Sequence, residues 1–307
     1  MIHVIFFFGI PSFFIIFSHF ILINKSLEAF SLLTTPILFI ALILIGIGSF
    51  VKNRKRYFIL FLGWLVFSIY WATQPEFLYY KGDGDIINAS FCIMGVYFLS
   101  YISYHEYLSY KRNEEVKSLD FLSKATFFSG MIYFTVQKID VLAGILIKVV
   151  AEQSVAILNA FGFRAKVGSI IEGLNIHVPI LYFDGQKWRE SVQIILACTG
   201  LQSMAVFTGV FLALNTDIKR KIKAFLVAIP TIYILNLIRN AGIVYGMEKM
   251  GLDFYMMHNV IGKVGSLIAL IIIAFIIFDL LPELYDEIVG LTKLVKRKGP
   301  IERMFIK

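Results

Sequence analysis

The chain of 307 residues is 58% apolar and 16% charged, whereas an average soluble domain is about half apolar and about a quarter charged. This composition excludes an ordinary soluble globular protein and indicates an integral membrane protein. The net charge of +8 does not predict nucleic-acid binding, because the basic residues lie mostly in short loops between apolar runs.

Eight apolar runs predict membrane-spanning helices. Most are as long as a helix needs to be to cross a bilayer, whereas barrel strands would be runs of about 10 residues with alternating polarity. The first run lacks a basic n-region and a cleavage pattern, so we expect a retained span rather than a signal peptide. The predicted fold class is an all-α integral membrane bundle of about eight transmembrane helices forming one domain, 1–307, with these spans: 2–23, 32–51, 57–72, 87–104, 121–137, 200–215, 224–245 and 265–282.

The loops between these runs alternate in charge. The positive-inside rule places the basic loops, and with them both termini, in the cytoplasm of a multi-pass plasma-membrane protein. Span six then runs inward, so its first residues lie at the outer face. The basic residues that decide this orientation are Lys52, Arg54, Lys55, Arg56, Lys111, Arg112, Lys117, Lys219, Arg220, Lys221, Lys223, Lys293, Lys296, Arg297 and Lys298.

The segment 138–197 between spans five and six is predicted to form a small extracytoplasmic cap. Its first part, 139–161, has apolar residues at helical spacing and predicts an amphipathic helix on the outer surface or a cover packed on the bundle. The apolar positions are Val141, Leu142, Ile145, Leu146, Val149 and Val150. Its second part predicts a β-hairpin, 176–183 and 187–196, with a type I′ turn at Asp184-Gly185. Pro179 favours an edge position for the first strand.

The hairpin leads directly into Ala-Cys-Thr-Gly-Leu-Gln-Ser at 197–203, where a long apolar run begins. A thiol in the first turn of a helix lies near unpaired N–H groups, which favour the thiolate. Gly200 permits close approach of another segment, and Thr199, Gln202 and Ser203 supply hydrogen-bonding groups. Cys198 is therefore a candidate nucleophile, although a membrane cysteine is more often a small packing residue.

Arg239 lies inside the seventh apolar run. An arginine within a membrane span costs on the order of 3 kcal/mol by insertion scales, which indicates a functional role. Tyr233, Asn236, Arg239 and Asn240 share one helical face that is expected to point into the bundle. The alternative is an arginine that reaches the outer headgroups.

His258 and Asn259 precede the last span. Histidine can accept and donate a proton near neutral pH, so His258 is a candidate acid–base, and Lys263 is a reserve basic group. The chain has two cysteines, Cys92 and Cys198, which provide neither a disulfide framework nor metal-ligand spacing. We expect no metal and no cofactor.

The Cys198 motif, Asn-x-x-Arg-Asn at 236–240 and His258-Asn259 together resemble the exosortase/archaeosortase family, and the Thr-Gly-Leu-Gln-Ser form is more similar to archaeosortases. The resemblance covers about residues 190–282. It implies a cysteine transpeptidase at the outer membrane face, with Cys198, Arg239 and His258 as catalytic residues. Its partners would be membrane-anchored proteins whose C-terminal sorting signal contains a motif, a helix and a basic tail. The acceptor of the new carboxyl end would be a lipid.

Two other functions stay open from the residues. An intramembrane-type cysteine protease would use the same side chains without an acceptor. A small-solute transporter would use Arg239 and its polar stripe as a path, but the spans show no inverted repeat and no second deep charge.

Overall fold

The computed structural model describes residues 9–81, 84, 86–172, 176–297 and 299–305. The start of the first predicted span, 2–8, and Lys298 of the basic tail lie outside the described residues. The described chain forms two compact units. One contains the residues up to Phe127 together with those from Asp286 onwards, and the other contains Phe128–Tyr285.

The first unit is helical. Its elements are α1 (Ile10–Leu22), α2 (Leu27–Phe50), α3 (Lys55–Pro75) with a π-helical turn Glu76–Lys81, α4 (Ile86–Arg112) and the start of α5 (Lys117–Lys138), followed near the C-terminus by the end of α10 (Pro282–Thr292), a 3₁₀ turn Lys293–Arg297 and α11 (Glu302–Phe305).

Small residues let the helices of the first unit pack closely, as is typical of membrane bundles. A Cβ on Gly63 of α3 would lie 2.9 Å from the backbone nitrogen of Ile45 in α2, so these two helices touch at the backbone. Near the C-terminus, Arg297 Nη1 donates a hydrogen bond to the His105 carbonyl at 3.0 Å, and the Tyr101 hydroxyl donates to Glu302 Oε1 at 2.9 Å. These bonds hold the C-terminal segment on α4.

The second unit contains the predicted cap and the segments that carry the candidate residues. Its elements after α5 are α6 (Asp140–Ala160), β1 (Ala165–Val167), β2 (His177–Phe183), β3 (Trp188–Ile195), a 3₁₀ turn Leu196–Thr199, α7 (Leu201–Ala213), α8 (Ile218–Met250), a π-helical turn Tyr255–Gly262 and α9 (Lys263–Leu280).

The structure confirms a helical membrane bundle with a small sheet. Ile10–Leu22 and Leu201–Ala213 are shorter apolar helices. Among the described residues, six helical segments are long and apolar enough to span a membrane. They include Asp140–Ala160, which the sequence placed in the cap, but not α5, which contains Lys124. The number of spans stays a prediction. The six segments with sufficient length and apolarity are Leu27–Phe50, Lys55–Lys81, Ile86–Arg112, Asp140–Ala160, Ile218–Met250 and Tyr255–Leu280.

Helix α6 is present where predicted, and its predicted apolar stripe is only partly buried. Val141 and Ile145 are exposed, whereas Val150 of the same stripe is fully buried, as is the neighbouring Ala151. In a membrane protein, small residues mediate helix packing and larger apolar residues can face lipid, so the most hydrophobic face need not be the buried one.

The predicted hairpin is confirmed as β2 and β3, with a different turn. Asp184 N donates to the Lys187 carbonyl at 3.3 Å, which makes Gly185 and Gln186 the central residues. Gly185 has a φ of 94°, and Gln186 is not among the residues with positive φ, so the prediction of a type I′ turn is wrong. A positive φ at the first central position alone is the pattern of a type II′ turn.

The edge position predicted for β2 is also wrong. The sheet order is β1-β2-β3, with antiparallel pairs throughout, so β2 with Pro179 is the central strand. Pro179 is tolerated because its backbone polar groups face β1 and not β3. β1 ends at Val167, which pairs with Ile180, so Pro179 lies just beyond the end of that strand. The Pro179 carbonyl accepts from Gly168 N at 2.8 Å, and no N–H is needed at that point.

Candidate active site

Cys198 lies in a tight turn between the sheet and a helix. β3 ends at Ile195, the 3₁₀ turn Leu196–Thr199 follows, and α7 begins at Leu201. The Thr199 hydroxyl donates to the Leu196 carbonyl at 2.7 Å and accepts from Leu201 N at 3.3 Å. The sequence predicted that Cys198 lies in the first turn of the helix. In the structure it precedes the helix, because Thr199 and Gly200 close a separate turn first.

Gly200 is required in this turn for two reasons. Its φ of 74° is in the left-handed region, which L side chains adopt only with strain. A Cβ at this position would also lie 3.3 Å from both Cβ and Cγ of Asn236 on α8. The expected close approach at Gly200 is therefore made by α8.

Two asparagines of α8 hold the backbone of Cys198. Asn236 Nδ2 donates to the Cys198 carbonyl at 2.6 Å, and Asn240 Nδ2 donates to the same oxygen at 2.8 Å. The two residues are four apart, so they lie on the same face of the helix. Asn240 is only 3% exposed, so its bond is shielded from water. The residues Asn-x-x-x-Asn thus attach the Cys198 turn to α8.

Arg239 lies between these asparagines in sequence and contacts a different segment. At about 100° per residue its Cα lies about 100° around the helix from Asn240. A Cβ on Gly262 would be 3.1 Å from Arg239 Nε, so the guanidinium stem lies against the π-helical turn. Arg239 Nε is buried and has no hydrogen-bond partner among the residues that the structure describes. An unpaired buried donor is costly unless a ligand satisfies it, which is consistent with a binding role.

His258 is carried by the π-helical turn that Arg239 contacts. The turn continues into α9, so His258 lies within a helical segment and not in the loop that the sequence predicted. Its ring stacks on Phe254 with centroids 4.9 Å apart and an interplanar angle of 9°. Turns of this rare type occur frequently at functional sites.

The remaining predicted residues have more peripheral positions. The Tyr233 hydroxyl donates to Gln153 Oε1 of α6. Gln202 is exposed, and Ser203 and Asn259 are half-buried. Within the described parts of the chain, their side chains form no hydrogen bond to the three candidate catalytic residues.

The sequence reasoning missed a polar contact that fixes the strand leading to Cys198. Arg189 Nη2 of β3 pairs with Glu248 Oε2 of α8 at 2.5 Å, and the Ser191 hydroxyl donates to Glu248 Oε1 at 2.8 Å. The Glu248 side chain is only 7% exposed. An acidic residue near the end of an apolar run was the available signal. With this contact, α8 holds both the strand and the turn that carry Cys198.

The second missed feature is a pair of glycines between α8 and the π-helical turn. A Cβ on Gly246 of α8 would collide with the Met257 side chain of the turn, and a Cβ on Gly262 of the turn would lie 3.7 Å from Ile243 Cδ1 of α8. One stretch of α8, residues 236–248, therefore contacts β3, the Cys198 turn and the turn that carries His258. No group of three His, Cys, Asp or Glu side chains suited to a metal ion occurs in the described ranges.

Comparison with known proteins gives a consistent result. The model of the transmembrane exosortase family matches residues 115–275, slightly more than half of the chain. Archaeosortase A of Haloferax volcanii is 22% identical over 281 residues, which covers 81% of this chain and 89% of that protein. Archaeosortase A of Natronomonas pharaonis is 24% identical over 199 residues, covering 58% of this chain and 63% of that protein. No solved structure matches the chain.

Proposed function

This chain belongs to the transmembrane exosortase family, with archaeosortases among its relatives, and on that premise we propose that it is a cysteine transpeptidase. Its substrates would be secreted, membrane-anchored proteins that end in a sorting motif, a transmembrane helix and a basic tail. The enzyme would cleave this signal and transfer the new carboxyl end to an acceptor, for which a lipid is our candidate.

The observation that carries this proposal is the attachment of the Cys198 turn to the Arg239 helix. Asn236 and Asn240 bond the Cys198 carbonyl from either side of Arg239 in the sequence. The same helix contacts the His258 turn through Arg239 and Gly262. Three segments distant in sequence thus meet at one stretch of α8, which supports a shared site for the residues that they carry.

In the proposed reaction, Cys198 is the nucleophile. The Cys198 thiol transfers its proton to His258, and the thiolate sulfur bonds to the carbonyl carbon of the scissile peptide. Arg239 stabilises the negative charge that develops on the carbonyl oxygen through its guanidinium group. The carbon–nitrogen bond then breaks as protonated His258 donates to the leaving amine, which leaves a thioester on Cys198.

The second half-reaction transfers the acyl group. Neutral His258 accepts the proton of an acceptor hydroxyl or amine, and that oxygen or nitrogen bonds to the thioester carbon. The carbon–sulfur bond breaks and Cys198 leaves as a thiolate. Lys263 is the fallback for the third role, because it is the first residue after the π-helical turn.

The proposed orientation places both termini in the cytoplasm and the active site outside. Either α5 or α6 alone can serve as the fifth span without changing the side on which the sheet lies. Helix α8, with 33 residues, is about 50 Å long and exceeds a hydrocarbon core of about 30 Å, so its end with Glu248 would extend beyond the membrane. The segment 138–197, or its part after α6, would then form the extracytoplasmic cap.

The decisive experiment measures the mass of a sorting-signal protein co-expressed with wild type, Cys198→Ala, Arg239→Ala, His258→Ala or Lys263→Ala. We expect wild type to shorten the substrate and add an acceptor mass, and the first three variants to leave it intact. Cys92→Ala is the matched control, since this second cysteine is buried in α4 of the other unit. Full processing by Cys198→Ala would disprove the proposal.

The same experiment separates the alternatives. Shortening without an added mass indicates a membrane cysteine protease that uses water as acceptor. Loss with Lys263→Ala but not with His258→Ala reassigns the acid–base. An unchanged substrate in the presence of wild type and of every variant reopens transport, for which Arg239 would be the substrate contact.

A further inference from the structure

Strand β3 forms an edge of the sheet and ends at the candidate active site. β2 pairs with it on one side, and within the described residues no backbone group bonds to it on the other. Ile195, its last residue, is three positions before Cys198. An edge with free N–H and C=O groups is a template for another extended strand.

The pairing identifies which groups point outwards. The Pro179 carbonyl bonds to Gly168, so Pro179 faces β1 and its partner Gln193 turns its backbone away from β2. His177 exchanges both backbone hydrogen bonds with Ile171, so its partner Ile195 also turns outwards. Free backbone groups therefore recur at every second residue towards Cys198.

The edge is held rigidly and is open to a ligand. Val192 and Ile194 are buried in the core, while the side chain of Gln193 is exposed and Ile195 is 40% exposed. The contacts of Arg189 and Ser191 with Glu248 fix the strand against α8. An edge fixed in this way offers its donors and acceptors without first having to be ordered.

We propose that the outer edge of β3, at Gln193 and Ile195, binds the extended segment of the substrate by β-strand addition and guides the scissile peptide to Cys198. The inference rests on the proposed function and identifies where that substrate binds. Main-chain hydrogen bonds supply the affinity in this mode of recognition, and side chains at alternate positions supply the specificity.

The direction of the added strand follows from the membrane. β3 runs towards α7, an apolar helix, and the substrate segment runs towards its own transmembrane helix. Both chains therefore pass from water towards the bilayer, so the substrate strand is parallel to β3. The hydrogen bonds of a parallel pair are evenly spaced and slanted.

The first test uses proline to remove one outward donor. Gln193→Pro deletes an N–H that β2 does not use, so the sheet tolerates it, whereas Gln193→Ala keeps the N–H. We expect processing by the proline variant to be at least about tenfold lower than by the alanine variant, with the effect in KM, because one hydrogen bond and the contact of the strand are lost. Val167→Pro places a proline at an outward position on the opposite edge and should affect processing by less than about twofold.

The outcomes of the proline series are distinct. Equal processing by Gln193→Pro and Gln193→Ala overturns strand addition. An equal loss of processing in both Gln193 variants assigns the effect to the side chain and also overturns strand addition. A loss with Val167→Pro that equals the loss with Gln193→Pro assigns the effect to the stability of the sheet. The rate of Cys198 alkylation by a small maleimide, in a Cys92→Ala background, verifies that the site is intact in each variant.

The second test does not depend on turnover or on the stability of the proline variant. Gln193→Cys in a Cys198→Ala, Cys92→Ala background is cross-linked to single cysteines placed along the substrate segment that precedes its helix. Strand addition predicts cross-links at every second position, because successive side chains of a strand point to opposite faces and neighbouring strands lie about 4.8 Å apart. Moving the cysteine to Glu190 should move the cross-links towards the N-terminus of the substrate.

The two tests separate this inference from the proposed function. Cross-links without period two, or cross-links between two copies of the enzyme in place of substrate, overturn strand addition. If Cys198→Ala abolishes processing and these patterns are absent, only the strand addition fails. If Cys198→Ala leaves processing intact, the proposed function fails first.

Discussion

The two hydrogen bonds to the Cys198 carbonyl allow a quantitative prediction. In Asn240→Ala, one bond of 2.8 Å is lost while the Asn236 bond of 2.6 Å still satisfies the oxygen. The loss should cost about 1 kcal/mol, which corresponds to a roughly fivefold increase in the population of a displaced turn. The double variant with Asn236→Ala leaves a buried carbonyl unpaired. We expect the double variant to destabilise the intact turn by about 3 to 4 kcal/mol, more than twice the cost of a single substitution.

The assay is the alkylation rate of Cys198 in membranes, with Cys92 replaced by alanine. Cys198 is only 9% exposed in the intact turn, so displacement exposes the sulfur and raises the rate. We expect a rise of several-fold in each single variant and of at least about a hundredfold in the double variant, with a parallel loss of processing. No change in either rate would show that the asparagines do not hold the turn, and additive effects of the two substitutions would show that the remaining bond does not satisfy the carbonyl in the single variants.

Two further predictions concern Arg239 and an ion pair outside the site. Gly262→Ala places a Cβ 3.1 Å from Arg239 Nε and should lower processing about tenfold, whereas Gly265→Ala, which meets nothing within 4 Å, should leave it within about twofold. The Arg220 guanidinium, bonded at 2.6 Å, lowers the pKa of Glu283 to about 2, so the stabilisation by this pair is present above about pH 4.5 and is lost as the pH falls towards 2. The pair is exposed to solvent and contributes little to stability, so Glu283→Gln should lower the melting temperature slightly at pH 7 and not at pH 2. An equal effect at both pH values would contradict the assignment.

The sequence alone was sufficient for the class of protein and the family. Runs of apolar residues reflect the solvent in which a helix sits, so membrane helices are predictable without tertiary contacts. The hairpin of β2 and β3 was equally local, because alternating apolar residues and Asp184-Gly185 determine a turn and two strands. The motif around Cys198, with Arg239 and His258, identified the family that the comparison then matched.

The tertiary structure decided what the local patterns could not. The sequence could not place β1, with its three residues, beside β2, because this pairing depends on where α6 ends and the chain returns; as a result Pro179 was assigned to an edge. Only part of the predicted stripe of α6 is buried, because hydrophobicity does not distinguish a face that meets lipid from one that meets protein. Two contacts of the site join residues that are far apart in sequence: Asn236 and Asn240 bind the Cys198 carbonyl, and Gly262 approaches Arg239. Both contacts involve backbone atoms that every residue has. Only the fold determines which of those atoms meet.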